Sequence, residues 1–162
     1  MIGNIKIIAV CMCKVYDERN YRIIRALNNF AVENDYRLFV YHTCSDLYWK
    51  TLSEKGEQSV FDLIDYNITD AVVTFEEGVY AEDVMTKIRM DAAEYGKPVI
   101  SVGVEHDDCI SIKFDYAKGF EQVVRHVIEQ HGVRDIGFIA GRKDEENSEE
   151  RIAVFRKLLE EY

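Results

Sequence analysis

Six short runs rich in apolar and β-branched residues alternate with longer stretches of helical periodicity, and this alternation constrains the fold more than any other feature of the chain. The runs are residues 5–13 (IKIIAVCMC), 38–42 (LFVYH), 71–75 (AVVTF), 98–102 (PVISV), 109–114 (CISIKF) and 136–140 (IGFIA). Between the first two, Ile23, Leu27, Phe30 and Ala31 recur at i, i+4, i+7 and i+8, which predicts a helix over about 18–34. Ser53 is placed to cap a second helix with Val60, Leu63 and Ile64 inward. A third, over about 81–95, carries Met85, Ile88 and Ala92 and stops at Gly96. A fourth, over about 116–130, buries Phe120, Val124, Val127 and Ile128, and a last one from Ser148 carries Ile152, Phe155 and Leu159. Strands separated by helices need crossover connections, so the strands run parallel in a sheet covered on both faces. The expected fold is α/β, a doubly wound parallel sheet of about six strands with helices on both faces. Ligands of such sheets enter at the carboxyl ends of the strands.

A chain of 162 residues suits one ordinary domain. Its formal net charge of −10 repels phosphate backbones and anionic lipid, so no direct binding of nucleic acid or membrane is expected from it. No apolar run approaches the ~20 residues that span a bilayer. The N-terminus carries no cationic and hydrophobic secretion pattern. Cys11, Cys13, Cys44 and Cys109 sit in apolar, strand-like stretches, which suits buried thiols in a reducing cytoplasm.

The glycine-rich cradles of dinucleotide and nucleoside-triphosphate enzymes are absent: Lys14-Val15-Tyr16-Asp17-Glu18-Arg19-Asn20 follows the first strand. No cofactor is expected. A phospho-receiver would need acidic residues after the first strand and an aspartate at the end of the third, where this chain has Thr74-Phe75-Glu76-Glu77. Cys11, Cys13, His42 and Cys44 hold soft ligands that could suit zinc, but cysteines two apart on one strand face are explained by core packing, and no metal is expected. Cys109 has no evident base partner for nucleophilic work.

Two polar residues stand out. Asp115 precedes the fourth helix, where it can cap the helix and present a carboxylate at the mouth of the cleft. Arg151 lies in the first turn of the last helix, against the helix dipole, and its planar fork can hold a hydroxyl pair or a carboxylate. Tyr16, Asp17, Glu76 and Tyr116 are expected near the same edge.

The segment Thr69-Asp70-Ala71-Val72-Val73 resembles the valine-aspartate-glycine-isoleucine-isoleucine stretch of lactose-repressor-type sensing domains, which share their fold with periplasmic sugar-binding proteins. The resemblance is strongest from Asp115 onward. It runs through Asp115-Tyr116-Ala117-Lys118-Gly119, then His131-Gly132-Val133-Arg134-Asp135-Ile136-Gly137-Phe138-Ile139-Ala140-Gly141, then Asn147-Ser148 with Arg151 and Phe155. It departs at the loop after the first strand, at Tyr116 in place of asparagine, and at Val154 in place of glycine.

What this resemblance implies is a two-lobe module closing on a sugar- or nucleoside-like effector, with Asp115 and Arg151 among its contacts, acting in a homodimer without catalysis. It further implies that residues 1–132 form the first lobe and 133–162 the first βα unit of the second, the rest of that lobe lying outside the chain. The 136–140 strand and the last helix are expected to fold back and complete the first-lobe sheet in the order 2-1-3-4-5-6, in cis or from a partner chain. An output such as a GGDEF diguanylate cyclase is a further implication of the resemblance. The alternative is a small doubly wound enzyme or phospho-receiver with a site of another kind.

Overall fold

The computed structural model describes residues 5–143 and 145–162. The chain divides into two compact units, Met1–Lys113 and Phe114–Tyr162.

The first unit is a five-stranded, wholly parallel sheet. Its strands are β1 (Lys6–Cys13), β2 (Tyr36–Thr43), β3 (Ala71–Phe75), β4 (Val99–Val102) and β5 (Ile110–Ile112), in the spatial order β2-β1-β3-β4-β5. Helix α1 (Glu18–Glu33) links β1 to β2. Helix α2 (Leu52–Gln58) and a 3-10 turn (Ser59–Leu63) link β2 to β3, and α3 (Glu82–Glu94) links β3 to β4. The α/β class and the parallel sense are those the periodicity predicts, and the order of the first five strands is the one the resemblance implies.

β1 is the central strand, and its last five residues, Ala9 to Cys13, are all buried. Consecutive burial along a strand means that both faces are covered, as parallel sheets require. Ala9, Cys11 and Cys13 share one core with Val72, Val99, Phe61 and Ile64 and with Met85, Ile88 and Ala92 of α3. Burial holds the Cys11 thiol well above its ordinary pKa and pushes that of Cys13 up to about 11, so both remain protonated and apolar at neutral pH.

Three local expectations are corrected. The cap of α2 is Thr51, not Ser53. The Thr51 side chain accepts from the Glu54 N–H at 3.2 Å, and the Glu54 carboxylate accepts from the Thr51 N–H at 2.9 Å. This reciprocal box satisfies two backbone donors at once, which a serine two residues later cannot do. Leu63, expected inward, is exposed, because the tightening into a 3-10 turn moves the inward positions to Phe61 and Ile64. Phe30 of α1 is exposed as well, and Ala31 takes the buried position.

The second unit pairs α4 (Tyr116–His131) with α5 (Glu146–Glu161). Asp115 caps α4 through its Oδ1, 2.8 Å from the Lys118 N–H, and Gly132 ends it in the left-handed region at φ 64°. Val124, Ile128 and Leu158 form the core, with Phe120, Ile136, Val154 and Phe155 packed against it. Leu159 was expected inward. Leu158 takes the inward position instead, in line with Val154 and Phe155 against α4, and Leu159 is exposed.

The largest correction concerns residues 136–140. They form no strand and do not join the sheet, which has five strands rather than six. Their alternation is spent on the helix pair. Ile136 packs on the α4–α5 core, the Phe138 ring lies tilted at 5.0 Å from Phe120 and 5.1 Å from Phe155, and Ile139 is 97% exposed. A two-residue period needs a partner ladder to become a strand, and here the aromatic contacts within the unit take its inward side.

No helix of the described residues is long and apolar enough to cross a membrane.

Candidate functional site

The carboxyl edge of the sheet is built from the loops after β1, β2, β3 and β4. In-register hydroxyls lead to it: Thr74 pairs with Cys11 and Ser101, and Ser101 with Ser111. One step beyond β3, Glu76 draws this row together. Its Oε1 accepts from Thr74 Oγ1 at 2.8 Å, Arg89 Nη1 at 2.9 Å and Ser101 Oγ at 3.2 Å, and its Oε2 lies 2.8 Å from His106 Nε2. The Arg89 and Glu76 side chains are 7% and 6% exposed. A carboxylate this deep is tolerated only with a cation and several donors. Arg89 Nε is buried without a hydrogen bond, 3.7 Å from Asp108 Oδ1. Glu76 therefore stands at the expected edge with both oxygens engaged in holding the β3, α3 and β4 connections together. Beside it, Gly103 at φ 103° brings its backbone so close to Glu77 that a Cβ would lie 2.6 Å from the Glu77 Cβ. Only glycine fits there.

The more open part of the edge lies over β1 and β2. Lys14 Nζ donates to Asp46 Oδ2 at 2.9 Å, which holds the Asp46 carboxyl below and the Lys14 ammonium above their ordinary pKa values. Both side chains keep about a third of their surface in solvent. Arg19, in the first turn of α1, pairs with Glu77 at 2.9 Å and ties the β1 loop to the β3 loop. Tyr16 is exposed and donates its hydroxyl to the Cys44 carbonyl at 2.6 Å. Asp17 is exposed at the N-cap of α1 and makes no side-chain capping bond. Tyr48 packs edge-on against Trp49 and Tyr80.

Of the residues singled out in the sequence, Tyr16, Asp17 and Glu76 thus stand on the β1 and β3 loops of the first unit. Asp115, Tyr116 and Arg151 belong to the second. Asp115 is exposed and caps α4, while Tyr116 is half-buried beside Phe114. Arg151 Nε donates to the Asn147 carbonyl of its own helix at 2.8 Å. No hydrogen bond joins Asp115 to Arg151 among the described residues. Lys14, Arg19, Asp46, Tyr48, Trp49 and Tyr80 were not singled out. Their side chains meet only through tertiary pairing of loops far apart in sequence, although the loop position after each strand was a usable signal.

Among the described residues no group of three or more His, Cys, Asp or Glu side chains is arranged to hold a metal ion. His42 turns its Nδ1 toward the Thr43 carbonyl at 3.3 Å, and the Thr43 hydroxyl donates to Cys13 Sγ at 3.0 Å.

No protein-family model matches the sequence, and no curated protein matches it. Solved structures do. The transcription regulator CcpA of Lactococcus lactis superposes with a TM-score of 0.67 at 21% identity, covering 96% of this chain and 54% of that one. The chain shares the fold of LacI-family sensing domains. A CcpA regulator from Weissella paramesenteroides with bound glucose gives 0.68 at 15% identity, over 96% of this chain and 54% of its own. A periplasmic binding protein/LacI regulator from Alkaliphilus metalliredigens, complexed with D-xylulofuranose, gives 0.64 at 19%, over 94% and 51%. The chain spans about half the length of the solved structures it matches.

Proposed function

We propose that the chain is part of a saccharide-sensing module of a transcription regulator and that it works by binding rather than catalysis. The observation that carries this reading is the fold shared with regulators crystallised with glucose and with D-xylulofuranose. The carboxyl edge adds chemical support: a Lys14–Asp46 pair about one third exposed, with Tyr48 and Trp49 following Asp46 in the same loop, combines hydroxyl-binding groups with apolar faces. In this reading residues 1–132 belong to a first lobe and 133–162 open a second. The proposed effector contacts are Tyr16, Asp17, Asp115, Tyr116 and Arg151, with Glu76 as the buried brace of the β3 loop. Closure of the two lobes on the effector biases a homodimer.

Asp115 carries the sharpest test, because one carboxylate oxygen caps α4 and the other can accept from a ligand hydroxyl. Titration calorimetry with D-glucose, D-xylulose and D-ribose is expected to show saturable binding of at least one sugar, weakened in Asp115→Asn by roughly 1–3 kcal/mol. Unchanged affinity with only a lower melting temperature reduces Asp115 to a helix cap. No heat with any of the three sugars overturns the saccharide reading.

A further inference from the structure

Trp49 is the only tryptophan of the chain, and it is 77% exposed. An exposed indole presents a large apolar face beside a polar N–H, the combination enriched at interfaces. The loop that displays it is firmly held. Glu57 Oε2 accepts from the Cys44 N–H at 2.8 Å, the Ser45 N–H at 2.9 Å and the Ser45 hydroxyl at 3.1 Å. Buried Glu54 accepts from the Thr51 N–H at 2.9 Å and the Trp49 N–H at 3.4 Å. The Asp46 carbonyl accepts from the Tyr80 N–H at 3.0 Å, and Leu47 is fully buried.

The same loop is strained. Leu47 at φ 62° and Lys50 at φ 53° are both left-handed without being glycine, and they flank Tyr48–Trp49. Such conformations persist only where surrounding bonds over-determine them, and they cluster at ligand sites. Tyr48 then fixes the indole from the side, with ring centroids 4.7 Å apart at 89°, and Tyr80 backs Tyr48 at 5.1 Å and 83°. Three residues upstream, Asp46 presents a carboxylate paired to Lys14.

We infer that Trp49 is a stacking residue of the carboxyl-edge site, its indole taking the apolar C–H face of a saccharide ring whose hydroxyls reach Asp46 and Lys14. This rests on the saccharide reading above. An apolar contact between two copies of the chain is the other use of an exposed indole. The charged Asp46–Lys14 pair three residues upstream and the left-handed backbone that displays the indole favour a small polar ligand with one apolar face.

Because Trp49 is the sole tryptophan, its fluorescence reads the site directly. The intact chain is titrated with D-glucose, D-xylulose and D-ribose while emission and acrylamide quenching are followed, with calorimetry in parallel. The expected result is a saturable emission change and at least a twofold fall in the quenching constant. Trp49→Ala should weaken binding at least tenfold with an unchanged melting temperature, and Trp49→Phe should retain part of the affinity. Calorimetric binding with unchanged quenching and full affinity in Trp49→Ala overturns the stacking role and leaves the saccharide reading standing. Protection that follows protein concentration instead of sugar overturns it in favour of self-association. Absence of binding by calorimetry removes both.

Discussion

Arg89→Met is expected to destabilise the first unit by about 3–5 kcal/mol, the usual result of leaving one partner of a buried ion pair behind. The reason lies in what remains. Glu76, 6% exposed, keeps its bonds from Thr74, Ser101 and His106 but loses two contacts from Arg89 Nη1, at 2.9 and 3.0 Å. Hydroxyl donors cannot replace the guanidinium charge in a site that water does not reach. The double variant Glu76→Gln/Arg89→Met removes both charges and keeps an amide that Thr74 and Ser101 can bond, so it should recover at least half of the loss. Urea unfolding followed by circular dichroism measures both. Equal losses in the single and double variants would show that the ion pair is not what holds the β3–α3–β4 connections.

Leu158→Ala is the second large effect, expected at about 2–5 kcal/mol from lost burial and the cavity left behind. Leu158 is fully buried between Val124 and Ile128, and the surrounding aromatics Phe120, Phe138 and Phe155 already pack on one another and have little freedom to collapse inward. A unit confined to residues 114–162 has a small core, so a loss of this size is comparable to its whole stability. Hydrogen exchange should therefore show Tyr116–His131 and Glu146–Glu161 losing protection while the strands of the first unit keep theirs. Uniform loss across both units would mean that they unfold as one.

The alternation of apolar runs was enough to read five strands and their parallel sense, because a buried parallel strand needs continuous apolar residues and a helical crossover; their order came from the resemblance. It failed at 136–140, where the same pattern serves an aromatic cluster: Ile136 and Phe138 face the helix pair and Ile139 faces solvent. Periodicity reports which side chains are buried together, not whether the backbone beside them has a ladder to join. The cap of α2 is legible in Thr51-Leu52-Ser53-Glu54, which carries the threonine and the glutamate three residues later.

At the site, Asp115 as a cap and Glu76 at the end of β3 could be read from position alone. The engagement of Glu76 by Arg89 could not, because it depends on α3 laying its eighth residue over the end of a neighbouring strand. The display of Trp49 was equally hidden. It turns on left-handed backbone at Leu47 and Lys50, residue types that give no such signal in sequence.

The central claim is that the chain takes a saccharide at the carboxyl edge of its sheet. Amide chemical-shift mapping of the nitrogen-15-labelled chain during titration with whichever of D-glucose, D-xylulose or D-ribose binds tests it most directly. Saturable shifts are expected at 14–17, 44–49 and 76–80, the loops that carry Lys14, Tyr16, Asp46, Trp49 and Tyr80. Shifts confined to the outer groove of α3, lined by Glu82, Thr86, Lys87 and Met90, or no shifts at saturating sugar, would contradict it.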